Sequence, residues 1–274
     1  MTHSPPLLAE MKQGSKSGII KSIATTLGIA AFWLGVWAAA AAIVGSSLLL
    51  PTPWETAKRL CELAVTSDFL LCAFASLARV SAGIAAAVIA GILTAVLCCT
   101  LRTADRLIFP FMTVIKTTPV ASFIILALVW LGTSVLPAFI SFLMVYPLIF
   151  TNVRAGIQSV DPGLLRMGKL FRLPLHTRIR RIYIPAVYPH FVTSVKASLG
   201  LAWKAGIAAE VIAAPKYSIG RMLYLSKVYF ETVDLFAWTL VIIILSLLIE
   251  LAFGKLIDRA AKRRRTGKAE KNEA

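Results

Sequence analysis

The residues able to do chemistry are few, and most are cations. The longest polar interruption between two apolar blocks runs from Asn152 to Pro185, with Arg154, Arg166, Lys169, Arg172, Arg178, Arg180 and Arg181 against a single acid, Asp161. Each such charge would cost about 2.5–3.5 kcal/mol at the centre of a bilayer, so this stretch sits in water, on the cytoplasmic side that lysine and arginine select. After the turn signal Asp161-Pro162-Gly163, the residues Leu164, Leu165, Gly168 and Phe171 recur at helical spacing. Leu173-Pro174 breaks that pattern, and Ile179, Ile182 and Tyr183 form a second short amphipathic piece ending at Pro185. The spacing predicts two short surface helices joined by a turn. A loop that only obeyed the charge rule would not need the apolar stripe, which points to docking.

A second set of charges interrupts an otherwise apolar block. Lys196, Gly200 and Lys204 are four apart and share a helix face, while Glu210 points elsewhere. Ionisable groups within a span mark pathways or partner contacts. Lys196, near the start of the block, is read as snorkelling to the inner headgroups. Lys204 either snorkels or faces a path, and a path lined by it suits an anionic solute. Trp203, Lys204, Glu210 and Pro119 are the candidate path residues. No other site is legible. Gly14-Ser15-Lys16-Ser17 lacks the glycine spacing and preceding strand of a phosphate loop. His3, His176 and His190 have no ligand spacing with cysteine or carboxylate, and no metal or cofactor site is expected.

The elements that must position these residues follow from composition. The chain has 274 residues, 58% of them hydrophobic and only 15% charged. Soluble domains average near 25% charged, so the fold class is an all-α polytopic membrane protein. The net charge of +16 belongs to basic cytoplasmic loops and not to a nucleic-acid surface. Residues 1–21 form a cytoplasmic N-terminal segment, 22–258 the transmembrane domain with the loop 154–185 between its fourth and fifth spans, and 259–274 a basic, frayed cytoplasmic tail. Six spans are expected, at about 20 residues per crossing, with both termini inside. They fall in Ser22–Leu50, Val80–Leu101, two short crossings within Thr117–Val153 around a turn at Gly132-Thr133-Ser134, Ala186–Ala214, and Leu235–Ile257. Trp54–Phe74 reads as an external surface-lying helix. Trp33 and Trp37 lie one turn apart on a lipid or packing face. Gly83 and Gly91 mark a face for close helix approach. Cys61 and Cys72 are placed outside, where a bridge and two unpaired thiols are both open, and the latter is the reading. Cys98 and Cys99 are packed thiols.

The residues of six stretches together resemble one family. Leu50-Pro51-Thr52-Pro53, Ser76-Leu77-Ala78-Arg79-Val80-Ser81-Ala82-Gly83, Thr118-Pro119-Val120-Ala121, Trp130-Leu131-Gly132, Val160-Asp161-Pro162 with Leu164-Leu165, and Gly200-Leu201-Ala202-Trp203 with Ala209-Glu210 are similar to the inner-membrane permease subunit of bacterial binding-protein-dependent ABC importers, the nitrate/sulfonate/taurine type. The resemblance covers about Leu50 to Lys262. It implies a multi-pass inner-membrane protein with no catalytic residues and no cofactor of its own. ATP and Mg are then held by a partner ATP-binding cassette subunit, a second permease copy lines the path, and an extracytoplasmic binding protein delivers the solute. The docking loop would comprise Asp161, Leu164, Leu165, Arg166, Gly168, Phe171, Arg172, Ile182 and Pro185. Two positions depart from the family pattern: its glutamate and its turn glycine are both arginine here, Arg166 and Arg172. Pro174 is expected to set a different turn, and the two arginines imply a dedicated ATPase with an acidic groove. The rival readings are an ion-coupled secondary transporter, which needs an inverted repeat and midplane acids, and a membrane enzyme, which needs clustered histidine and carboxylate.

Overall fold

In the computed structural model, residues 25–255 are described in full, and the helical backbone continues outward to Leu7 and Glu273. The lysines and acid expected before Thr25 and the arginines of the tail carry side chains outside the described residues. Eleven helices follow one another: α1 (Leu7–Val44), α2 (Pro53–Ala64), α3 (Ser67–Thr100), α4 (Arg102–Thr117), α5 (Val120–Trp130), α6 (Leu136–Gln158), α7 (Pro162–Leu170), α8 (Leu175–Arg178), α9 (Ile184–Ala213), α10 (Ile219–Val228) and α11 (Thr232–Glu273), with a π turn at Ile179–Tyr183 between α8 and α9. The basic tail expected over 259–274 lies outside the described residues. Among the described residues, four helical segments are long and apolar enough to cross a membrane: Thr25–Val44, Ser67–Thr100, Leu136–Gln158 and Thr232–Lys255. The pair α4 and α5, bent by 108°, would make a fifth.

The core is the packing of α3, α6 and α9, and small residues bring the backbones together. A methyl on Gly83 would collide with the Ala138 carbonyl, and one on Gly91 would meet Ile149 Cγ2 at 2.8 Å. These are the two glycines whose spacing predicted a close face. Gly206 on α9 closes on Val80 and Ser141 in the same way, and the Ser141 hydroxyl donates to the Ala202 carbonyl at 3.2 Å. The largest buried side chains, Trp203 and Phe150, fill this layer. The indole of Trp203 donates to the Ile242 carbonyl (3.1 Å), fastening α9 to α11.

Three expectations give way. The second span begins at Ser67 and not at Val80, because Thr66 caps a new helix after only a two-residue break and nothing in Ser67–Arg79 interrupts it. The external helix is correspondingly short. Its start is a capping box, in which the Thr52 hydroxyl accepts from Glu55 N (3.2 Å) and the Glu55 carboxylate accepts from Thr52 N (2.9 Å). Arg59 then reaches Asp234 at 2.6 and 2.9 Å, pinning α2 to the start of α11, and the Asp234 carboxylate holds its guanidinium above the usual arginine range. Nor is the first of the two short crossings expected around Gly132 an unbroken span within Thr117–Val153. A turn does join Leu131 to Val135, but α5 has 11 residues, about 16 Å, against a hydrocarbon core of about 30 Å. The cause is Thr118-Pro119: a residue before proline is driven out of the helical region, Thr118 is extended at ψ 132, and the helix must restart.

Cys61 is exposed and Cys72 buried, both as free thiols. Trp37 donates to the Pro51 carbonyl (3.0 Å) and stacks on Phe236, whereas Trp33 is exposed.

Candidate functional site

The polar segment between α6 and α9 is built in four steps. Asp161 caps α7, its carboxylate accepting from Gly163 N at 2.7 Å. α7 then ends in a Schellman motif: Leu173 N donates to Gly168 O (2.9 Å) and Arg172 N to Lys169 O (3.0 Å). That motif needs a left-handed residue just past the cap, and Arg172 supplies it at φ 47. Pro174 thus does not set a different turn; the turn stays where the family glycine would stand, and an arginine bears it. Pro174 instead starts α8, which passes through the π turn into α9. Pro185 sits in the first turn of α9.

Gly168 is the buried side of α7, with Ile182 and Arg178 across from it, so the short helix lies against the π turn. Leu165 and Ile182 are half-buried there. The other face is open: Leu164, Met167, Leu170 (80% exposed) and Phe171 (67%), continued by Leu175. Arg166 stands in solvent beside them. Asp161, Leu164, Leu165, Arg166, Gly168, Phe171, Arg172, Ile182 and Pro185 are therefore brought into one element with an apolar, cation-fringed outer face.

The four candidate path residues are not brought together. Lys204 lines a cavity of about 550 Å³ with Lys196, Gly200, Glu250 and Gly254. Gly200 is what gives Glu250 its place, since a methyl there would meet Glu250 Oε1 at 2.5 Å. Trp203 is buried against α11. Pro119 is exposed at the α4–α5 bend. Glu210 lines neither of the two described cavities.

Glu210 is instead the hub of a latch. It is 0% exposed and accepts from the Ser76 hydroxyl (2.7 Å), Arg79 Nη1 (3.1 Å) and Gly220 N (3.2 Å). Ser76 in turn accepts from Ile219 N (3.0 Å), and Arg79 donates to the carbonyls of Lys216 (2.9 Å) and Tyr217 (3.1 Å). Three elements, α3, α9 and α10, are tied by one carboxylate. Reading the sequence alone missed this set; the spacing Ser76–Arg79 puts both on one face of α3, which was the available signal. At the other end of the bundle, Arg154 of α6 bonds Asp105 of α4 (2.9 Å) and lies over the Phe109 ring.

With this geometry in place, the comparisons converge. Residues 83–266 match the family described as binding-protein-dependent transport system inner membrane component. The taurine transport system permease protein of Escherichia coli (strain K12) is 26% identical over 90% of this chain and 90% of its own. A probable ABC transporter permease protein of Brucella melitensis is 28% identical over 79% of this chain and 87% of its own. A solved structure titled as an amino acid ABC transporter with histidines superposes with a TM-score of 0.52 at 18% identity, covering 69% of this chain and 90% of that one, and so shares the fold. The all-helical bundle, its apolar spans and a match over most of its length make this chain a multi-pass membrane permease subunit, not an enzyme, and a member of the binding-protein-dependent transport system inner membrane component family.

Proposed function

We propose that this permease forms, with a second copy of itself, the path for a small anionic solute, and that α7 to the π turn is the element through which a separate ATPase drives it. The observation that carries the reading is the outer face of α7. Leu170 and Phe171 are the most exposed apolar side chains of the segment, fringed by Arg166, Lys169 and Arg172, on a helix whose inner face is anchored. An unpartnered apolar face on a basic, water-side loop calls for a protein partner. Because α7 is fixed to the π turn and the π turn is continuous with α9, a push on α7 is delivered to the helix carrying Lys204. This is a rigid-body coupling of a bistable bundle to a motor.

Six crossings follow: α1, α3, the broken pair α4–α5, α6, α9 and α11, with both termini on the cytoplasmic side. A sulfonate, taurine or nitrate is the solute class favoured by Lys204 and by relatives named for taurine, aliphatic sulfonates and nitrate. An extracytoplasmic binding protein delivers it, and ATP with Mg is bound by the partner ATPase. The test is co-purification from native membranes. The intact chain should bring an ATPase with it, and a chain with residues 168–182 replaced by a glycine/serine linker should not. An equally active chain that never carries an ATPase would favour an ion-coupled transporter. The arginines add a second arm: a generic family ATPase should couple only after Arg166→Glu and Arg172→Gly.

A further inference from the structure

The cavity beside Lys204 carries more chemistry than a path for a plain anion needs. It measures about 550 Å³, within the range of roughly 300–1,000 Å³ typical of small-molecule pockets. Its charged lining is Lys196 and Lys204 of α9 with Glu250 of α11. Lys204 sits in the body of α9 (Ile184–Ala213), and Glu250 falls within the apolar segment Thr232–Lys255. Ionisable side chains in such segments do not face lipid; they line a water-filled path or meet a partner group.

Glu250 meets no partner group. Among the described residues neither Glu250 nor Lys204 makes an ion pair or a hydrogen bond, and both are exposed. Glu210 shows what a structural carboxylate does in this bundle: it is fully buried, with three donors and an arginine to balance it. A charge that served only to hold α11 against α9 would be bonded in the same way, and that task falls instead to the Trp203 indole. The place of Glu250 is set by Gly200, where a methyl would meet its Oε1 at 2.5 Å. Lys196 and Lys204 lie one turn to either side of Gly200 on the same face of α9, each about 6 Å away along the axis. The side chain missing at Gly200 therefore makes room for a carboxylate between two ammonium groups. Towards a plain anion that carboxylate only repels. A solute with an ammonium group beside its anionic head uses both signs of charge, and two lysines against one glutamate keep the pocket closed to a bare cation.

We infer that this cavity seats a short zwitterionic solute, with Glu250 taking its ammonium group and Lys204 its sulfonate or carboxylate. A linker of about two or three carbons, at about 1.5 Å per bond, spans the offset between the two seats. The inference rests on the reading of Lys204 as facing the solute path, and it narrows the solute class. Glu250 becomes the residue that tells an amino-sulfonate from nitrate or from a sulfonate without an amino group.

The test uses the full chain purified in detergent, in the assembly in which it leaves the membrane. Taurine and isethionate differ only in an ammonium group against a hydroxyl, and each is titrated separately with binding read by saturation-transfer NMR. Taurine should bind roughly ten- to a hundredfold tighter, the worth of a hydrogen bond between charged groups. Glu250→Gln should bring taurine down to the level of isethionate and leave isethionate no weaker, while Lys204→Gln should weaken both. Gly200→Ala is an independent variant: its methyl meets only the flexible end of Glu250, so the fold is kept while the preference for taurine falls. A preference for taurine that survives Glu250→Gln overturns the inference. Equal binding of the two sulfonates, lost in Lys204→Gln, overturns it and leaves the anion path standing. Binding of neither sulfonate overturns both. A Glu250-dependent preference in a chain that captures no ATPase would sink the docking reading and leave the zwitterion seat standing.

Discussion

Glu210 shows how much one residue's role depends on what surrounds it. A carboxylate inside an apolar block invites a pathway role, yet all three groups bonded to it are structural, and Arg79 supplies the compensating charge. Removing one partner of a buried pair leaves the other uncompensated, at about 3–5 kcal/mol. Arg79→Met should therefore lower the thermal stability of the purified chain sharply. Arg79→Met with Glu210→Met should recover much of the loss, and a double-mutant cycle on melting curves measures the coupling. Arg172 is a residue-scale case of the opposite kind, where a side chain is tolerated against local preference. A left-handed L-residue costs about 1–2 kcal/mol, partly offset by the greater unfolded freedom of glycine. Arg172→Gly should raise the stability of the α7 turn by about 0.5–1 kcal/mol, read as slower amide exchange at Leu173. Loss of stability would mean that the arginine side chain holds the turn by contacts of its own.

At the scale of elements, the α3–α6 contact depends on side chains being absent. A methyl at Gly91 meets both Ile149 and the backbone nitrogen of Phe150 (3.2 Å), so α6 cannot yield by a rotamer change alone. Gly91→Val should force the two helices apart at a cost of about 1–3 kcal/mol, seen as a lower melting temperature. Gly168→Ala is the control, since its added carbon stays at 3.5 Å from Ile182, an ordinary contact. The close-packed face was legible from Gly83 and Gly91, and so were the two short helices of the polar segment, from the stripe Leu164, Leu165, Gly168, Phe171 and the break at Pro174. Charge and period act locally, so a local reading finds them. What was not legible came from distance. Nothing near Glu210 in the chain announces Ser76 or Arg79, because those contacts form only once α3 and α9 are packed. The start of α3 at Ser67 and the brevity of α5 turn on a capping hydroxyl and a proline, single residues that shift a boundary without changing composition.

Across the whole molecule, the two ends of the bundle are held by different contacts. One end is locked by the Ser76–Arg79–Glu210 latch and by Arg59 to Asp234, the other by Arg154 to Asp105 and by the fit of Gly168 on the π turn. The middle is glycine-mediated backbone contact.

The first helix stands apart from all of this. Only 6% of its most apolar stretch, within Thr25–Val44, is buried against the rest of the chain. It precedes the other apolar helices in the chain and is fit to enter lipid unaided, as α3 is after it. α5 is too short and α9 too charged for that, and both can leave the insertion machinery only against helices already in place. Assembly of this permease is therefore ordered along the chain, with α1 as an early anchor and α9 as a late, dependent arrival. Defects that loosen α3 or α6 should appear first as chains that fail to complete insertion, before any effect on transport can be seen.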